Sequence, residues 1–184
     1  FAKWLGAGAG FTLGGPIGAI IGFVVGSFID GVSVEDLKEE ERQYNSQGEK
    51  KSYVESGDFE ISLLILASIV IKADGHVDKR ELDYVRKYFV DLYGRERANN
   101  AFKLFKGIVK RKVSSRQVCM QIRQYMSHAS RLQLIHFLFG IAQSDGSVKI
   151  QEEAVIAKIA YYLYINERDF NSIKAMFVAK SESA

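Results

Sequence analysis

Ala73-Asp74-Gly75-His76-Val77, with Glu81 four residues on, recurs later in the same chain as Ser144-Asp145-Gly146-Ser147-Val148 with Glu152. Each copy follows an apolar run, Ile61–Ile71 and Leu132–Ala142, and each precedes a segment with helical spacing. The pattern predicts a helix, a tight turn and a second helix, used twice. Gly75 and Gly146 suit φ > 0, where a Cβ is penalised. Asp74 and Asp145 can accept from the turn's free N–H groups, and Val77 and Val148 are placed to plug the turns from beneath. Two such units facing each other make one all-α domain, of about seven helices with a two-fold internal helix-turn-helix repeat.

The rest of the chain fits that frame. Its 184 residues hold one domain of typical size plus appendages, and 47% hydrophobic residues are enough for a core. One proline suits helices joined by short turns. The single cysteine, Cys119, excludes an intramolecular disulfide, fits a reducing compartment, and sits among Val118, Met120 and Ile122 as a packed thiol. A net charge of +3 does not mark the chain as a polyanion binder.

Polar sequence takes over at Asp30, with a capping-box pattern at Ser33–Asp36 and a short surface helix running to Asn45. Ser46–Gly57 reads as a linker, and Asp58 as the N-cap of a central helix, Phe59–Ala73, apolar on nearly every face. Helices follow from Asp78 to Gly94, over Ala98–Ile108, from Ser114 with a Ser-to-Gln box, from Ser130, over Ile150–Leu163, and from an Asn166 cap. The expected division is 1–31, an apolar glycine-zipper segment; 32–57, short helix and linker; and 58–180, the helical domain.

An apolar helix, Ala-Asp-Gly-x-Val and a Glu four residues past the Val resemble the TerB-like domain of tellurite-resistance proteins, over roughly Phe59–Phe177. That domain also occurs in membrane-anchored DnaJ-like co-chaperones of the DjlA type, between a transmembrane segment and a J domain. The second copy departs from the pattern at Ser144, where Ala is usual. The resemblance implies a membrane-anchored, non-enzymatic binding or regulatory domain, with an Hsp70-type chaperone recruited by a J domain outside this chain. It also implies a divalent cation held by acidic positions at the turns. A free-standing, metal-binding stress protein related to tellurite resistance is the alternative.

The N-terminus favours the anchored form. No charge occurs from Trp4 to Ile29, and Gly6, Gly10, Gly14, Gly18, Gly22 and Gly26 fall every fourth residue. A continuous helix of that length spans about 39 Å, against about 30 Å of hydrocarbon. Each glycine would cost a helix in water about 1 kcal/mol relative to Ala. A bilayer and an opposing helix remove that difficulty by small-xxx-small packing, so the register predicts a homodimer. Pro16 leaves three arrangements open: one kinked membrane helix over 4–29, a hairpin at the membrane, or a hairpin buried against protein. Pro is favoured in a first turn, so the half after Gly15 reads well as a helix by itself. The flanking charges Lys3, Lys38 and Arg42 are too few to orient the segment. The lone cysteine and the resemblance place the domain in the cytoplasm.

Two charged groups are candidate sites. Asp74, Asp78, Glu81, Asp145, Glu152 and Glu153 would converge if the repeats pack with twofold symmetry, giving oxygen ligands for a hard divalent cation. Alternatively they are turn and first-turn residues favoured by the helix dipole. Neither turn is an EF-hand, because Val70, Lys72, Ile141 and Gln143 stand where ligands are required. Between Arg95 and Arg131 the only acid is Glu96, while Lys103, Lys106, Lys110, Arg111, Lys112 and Arg116 gather there. Such a face suits anionic headgroups beside a membrane segment, or is simply solvated. No nucleic-acid motif accompanies it, so nucleic acid is not the expected partner. No catalytic motif occurs, and His76, His128 and His136 are scattered, His136 on an apolar helix where a core position is expected.

Overall fold

The computed structural model describes residues 15–28 and 51–182, which form eight α-helices with no strand among them. They are α1 (Gly15–Phe28), α2 (Lys51–Ile71), α3 (Lys79–Tyr93), α4 (Arg95–Val109), α5 (Ser115–Tyr125), α6 (His128–Gln143), α7 (Ile150–Tyr162) and α8 (Glu167–Glu182). Gly6, Gly10, Gly14 and the short helix expected to end at Asn45 lie outside the described residues.

The apolar helices of the two repeats, α2 and α6, pack on each other at the centre, and α3, α4, α5, α7 and α8 cover them. Leu63–Ala67 in α2 and Leu134, Ile135, Leu138 and Phe139 in α6 are buried. Removal of such side chains from water contributes about 1.5–3 kcal/mol each. α3 crosses α6 where Gly140 lies against the Tyr84 hydroxyl, leaving no room for a Cβ.

Most helix starts follow local chemistry. Asp78 accepts from Arg80 N–H at 2.8 Å, Ser114 Oγ from Gln117 N–H, and Asn166 Oδ1 from Asp169 N–H at 2.8 Å. Three expectations are corrected. α2 begins at Lys51, so residues 51–57 are helical and Asp58 is not a cap. Nothing between Lys51 and Gly57 forbids helix, and once the buried part is nucleated each added residue gains a hydrogen bond. α6 is capped by Ser127, whose Oγ accepts from Ser130 N–H, three residues before the expected start. His136 is exposed, its ring edge-on to Phe177 of α8, because it falls on the outer strip of α6 with Gln133.

α1 starts at Gly15, as Pro16 in a first turn favours, and is 14 residues long, about 21 Å. Among the described residues no helix is long and apolar enough to cross a membrane. α1 lies on α4 and α5, burying Ile17, Ile21 and Val24. The Ile17 N–H, freed at the helix start, donates to the buried Gln121 Oε1 at 2.9 Å. Gly15, at φ +70°, sits 3.0 Å from that oxygen at its would-be Cβ, so a side chain there would meet Gln121.

Candidate metal centre

The two turns are built alike. Ala73 N–H donates to Val70 C=O and Ser144 N–H to Ile141 C=O, both at 3.1 Å. Gly75 N–H donates to Lys72 C=O at 3.0 Å and Gly146 N–H to Gln143 C=O at 2.9 Å, with φ of 83° and 115° at the glycines. Asp74 Oδ1 accepts from His76 N–H at 3.0 Å. Val148 packs on the core as expected, whereas Val77 remains 48% exposed and plugs nothing.

The turns meet through their equivalent residues. Asp78 of the first repeat corresponds to Lys149 of the second, Asp74 to Asp145 and Glu81 to Glu152. Lys149 Nζ lies 2.8 Å from Asp74 Oδ2, across the repeats, and 3.2 Å from Asp145 Oδ2 within its own. On the other side one oxygen each from Asp78, Glu81 and Asp145 lie within 4.8 Å of one another. The cross-repeat approaches, Asp78 to Asp145 and Lys149 to Asp74, are the same pair of positions exchanged, as an approximate twofold requires.

Six acidic residues were candidates, and they divide. Asp78, Glu81 and Asp145 converge, and Glu152 lies beside Glu81 with its Oε1 accepting from Lys149 N–H at 3.2 Å. Asp74 is held by Lys149. Glu153 stands apart, ion-paired to Lys174 of α8, because it points one helical position away from Glu152. Lys149 is the member that sequence reasoning missed. Its signal was present: a Lys stands in the second copy where the first carries Asp78.

Burial and like charge set the electrostatics. Glu81 is 2% exposed; burial, with the charges of Glu152 and Asp145, pushes its carboxyl up to about 8. Glu152 is also raised by burial, against the Lys149 N–H that lowers it. Asp74 is lowered by its bond from Lys149, and Asp78 by the Arg80 N–H. The Lys149 ammonium is raised, first by Asp74.

Glu81 Oε2, Glu152 Oε2 and Asp145 Oδ1 are buried with no hydrogen-bond partner among the described residues. Orphaned buried carboxylate oxygens are costly, and they are the donors a hard cation takes. The donor set therefore fits Ca²⁺ or Mg²⁺: Asp78, Glu81 and Asp145 would hold it, with Glu152 behind Glu81. It offers no thiol or imidazole for a softer metal.

Comparison with known families bears directly on this paired-turn domain. A family model described as tellurite resistance protein TerB matches residues 60–175. The chain belongs to the TerB family. Residues 1–48 match a second model, described as the co-chaperone DjlA transmembrane domain. Searches of the curated proteins and of the solved structures return no match.

The TerB domain also contains a buried ion pair that the sequence did not announce. Glu60, fully buried in α2, meets Arg97 of α4 at 2.8 Å, in a contact whose angles are not those of a hydrogen bond. Arg97 also lies over the Tyr93 ring, whose hydroxyl is raised by burial and by Glu60. Cys119 is buried and its thiol pushed up to about 12, an inert core group.

Proposed function

We propose that this chain is the membrane-held, non-enzymatic part of a DjlA-type co-chaperone, whose TerB domain binds a divalent cation between its two Asp-Gly turns. The observation that carries the cation reading is the set of orphaned buried oxygens on Glu81, Glu152 and Asp145. The match of residues 1–48 to the DjlA transmembrane domain supports the anchored form over a free-standing stress protein. In this reading residues 4–29 hold the membrane, the TerB domain faces the cytoplasm, and an Hsp70-type chaperone is recruited by a J domain outside this chain. A His-Pro-Asp motif encoded downstream in the same gene tests that partner directly. The domain division at residues 31 and 57 is part of the same proposal, with the helical domain extended back to the start of α2.

Thermal unfolding of the chain in a neutral detergent, with Ca²⁺ or Mg²⁺ against a chelator, tests the cation. At a hundredfold excess over the dissociation constant, a bound ion adds about 2.7 kcal/mol. Asp78→Asn with Asp145→Asn is expected to abolish the rise while retaining hydrogen-bonding side chains. If the parent melts at the same temperature with and without the ions, the carboxylates are turn and cap residues only.

The anchor is also proposed to pair two copies. Gly22 faces outward from α1, and a Cβ there would find nothing within 4 Å, while Gly18 is half-buried. Gly22→Leu thus fits the single chain and is expected to weaken a membrane dimer by blocking close helix approach. Cross-linking in bilayers measures this. An undiminished dimer band would remove the glycine register from the interface.

A further inference from the structure

α1 buries Ile17, Ile21 and Val24 against the TerB domain and turns Ala19, Gly22 and Phe23 outward, with Phe23 59% exposed. Beside that outward face runs the loop between α4 and α5. Arg111 of this loop places its guanidinium carbon 3.5 Å from the centre of the Phe23 ring. Lys72, just ahead of the first turn motif, donates to the Arg111 carbonyl and so ties the loop to the domain. Lys110, Lys112 and Arg116 flank Arg111, and all three are exposed. Among the described residues the ion pairs use Arg80, Arg97, His128, Lys149 and Lys174, and none uses these four cations. Among the described residues, then, no ion pair neutralises the charge here.

An apolar strip edged by exposed cations is the make-up of a surface that lies in a lipid headgroup layer. We propose that Phe23, at the edge of the outer face of α1, and the Lys110–Arg116 edge together dock on an anionic bilayer, holding the TerB domain flat against the membrane. The occupant follows from charge complementarity and from position. α1 lies within residues 1–48, which match a transmembrane domain, and it rests on α4 and α5, the helices that the cationic loop joins. Anionic headgroups attract such cations within a Debye length of the surface. Phe23, with Arg111 across its ring, would sit at the level of the headgroups as interfacial aromatics do. The inference rests on the anchored reading given above, but its own surface is separable from the anchor.

Hydrogen exchange over residues 110–116 provides the test, on the full chain in phosphatidylcholine nanodiscs and in phosphatidylcholine–phosphatidylglycerol nanodiscs. Exchange is expected to slow on the order of tenfold in the anionic discs, and to recover in high salt. The triple variant Lys110→Glu, Lys112→Glu and Arg116→Glu should show no difference between the two lipids. All three residues are exposed, so the fold should survive, and circular dichroism checks that. Equal exchange of the parent chain in both lipids would overturn the docking surface. Equal slowing by a single-stranded oligonucleotide in neutral discs would overturn it too, in favour of nucleic acid. Flotation and alkaline extraction separate this from the anchor. A chain that floats with anionic vesicles alone and is removed by carbonate keeps the surface and loses the anchor; one that resists carbonate without lipid-dependent exchange does the reverse.

Discussion

Replacing Arg97 with alanine is expected to destabilise the TerB domain by about 3 kcal/mol, the low end of the range for breaking a buried ion pair. Glu60 is fully buried in α2, and the Arg97 guanidinium meets it at 2.8 Å. Loss of that cation takes a charge partner from a carboxylate in the core, beside the Tyr93 hydroxyl. The low end applies because Arg97 is 39% exposed, so solvent already screens part of the attraction. The double variant Glu60→Leu with Arg97→Met should regain most of the loss, since matched apolar groups often equal a buried pair. Urea unfolding of the three variants measures both effects. A single-variant loss below about 1 kcal/mol would show that the pair is no more than a surface contact.

The second large effect is a dependence on pH. Glu81 titrates near 4.5 when exposed and about 8 in the folded domain. Below pH 4.5 both states hold the proton, and the neutral carboxyl sits in the fold without penalty. Between the two values the native state retains a proton that the unfolded chain has lost. Stability from this group is therefore present below 4.5 and declines as pH rises through 8. One proton gives about 1.4 kcal/mol per pH unit at most, so the fall across the window is at most about 5 kcal/mol. Glu152, raised in the same direction, adds to it. Asp74 and Asp78 act oppositely: both are lowered, so their contribution is complete above 3.8 and fades in acid.

Glu81→Gln keeps a neutral donor beside Glu152 and is expected to flatten the decline in the presence of a chelator. In Ca²⁺ the parent should lose its decline as well, because the ion binds the ionised carboxylates and replaces the proton. Unfolding in urea at pH 5 and pH 8.5 gives the two slopes. Identical slopes for parent and variant would place the buried proton elsewhere.

How much of this was legible depends on whether the determinant was local. The turn glycines, the caps at Asp78, Ser114 and Asn166, and the apolar runs of α2 and α6 act within a few residues, so their pattern in the sequence is their cause in the fold. The start of α2 was missed because helix propagation from a buried nucleus overrides the polar composition of residues 51–57. The position of His136 was missed because an apolar helix with one polar strip looks the same whether that strip faces a core or solvent.

The internal repeat by itself determined the all-α class, the two helix-turn-helix units and the six candidate carboxylates. It could not say which of them meet. That was decided by the packing of α2 on α6, which carries Asp145 to Asp78 and Glu81 and gives Asp74 to Lys149, while Glu153 turns to Lys174. The same holds for α1. The sequence determined an apolar helix after Pro16, but only the tertiary structure showed its isoleucines turned toward α4 and α5 and Phe23 turned out beside Arg111. Charge repulsion, burial and cation–π contact depend on distances between residues far apart in the chain, and those distances exist only once the helices have packed.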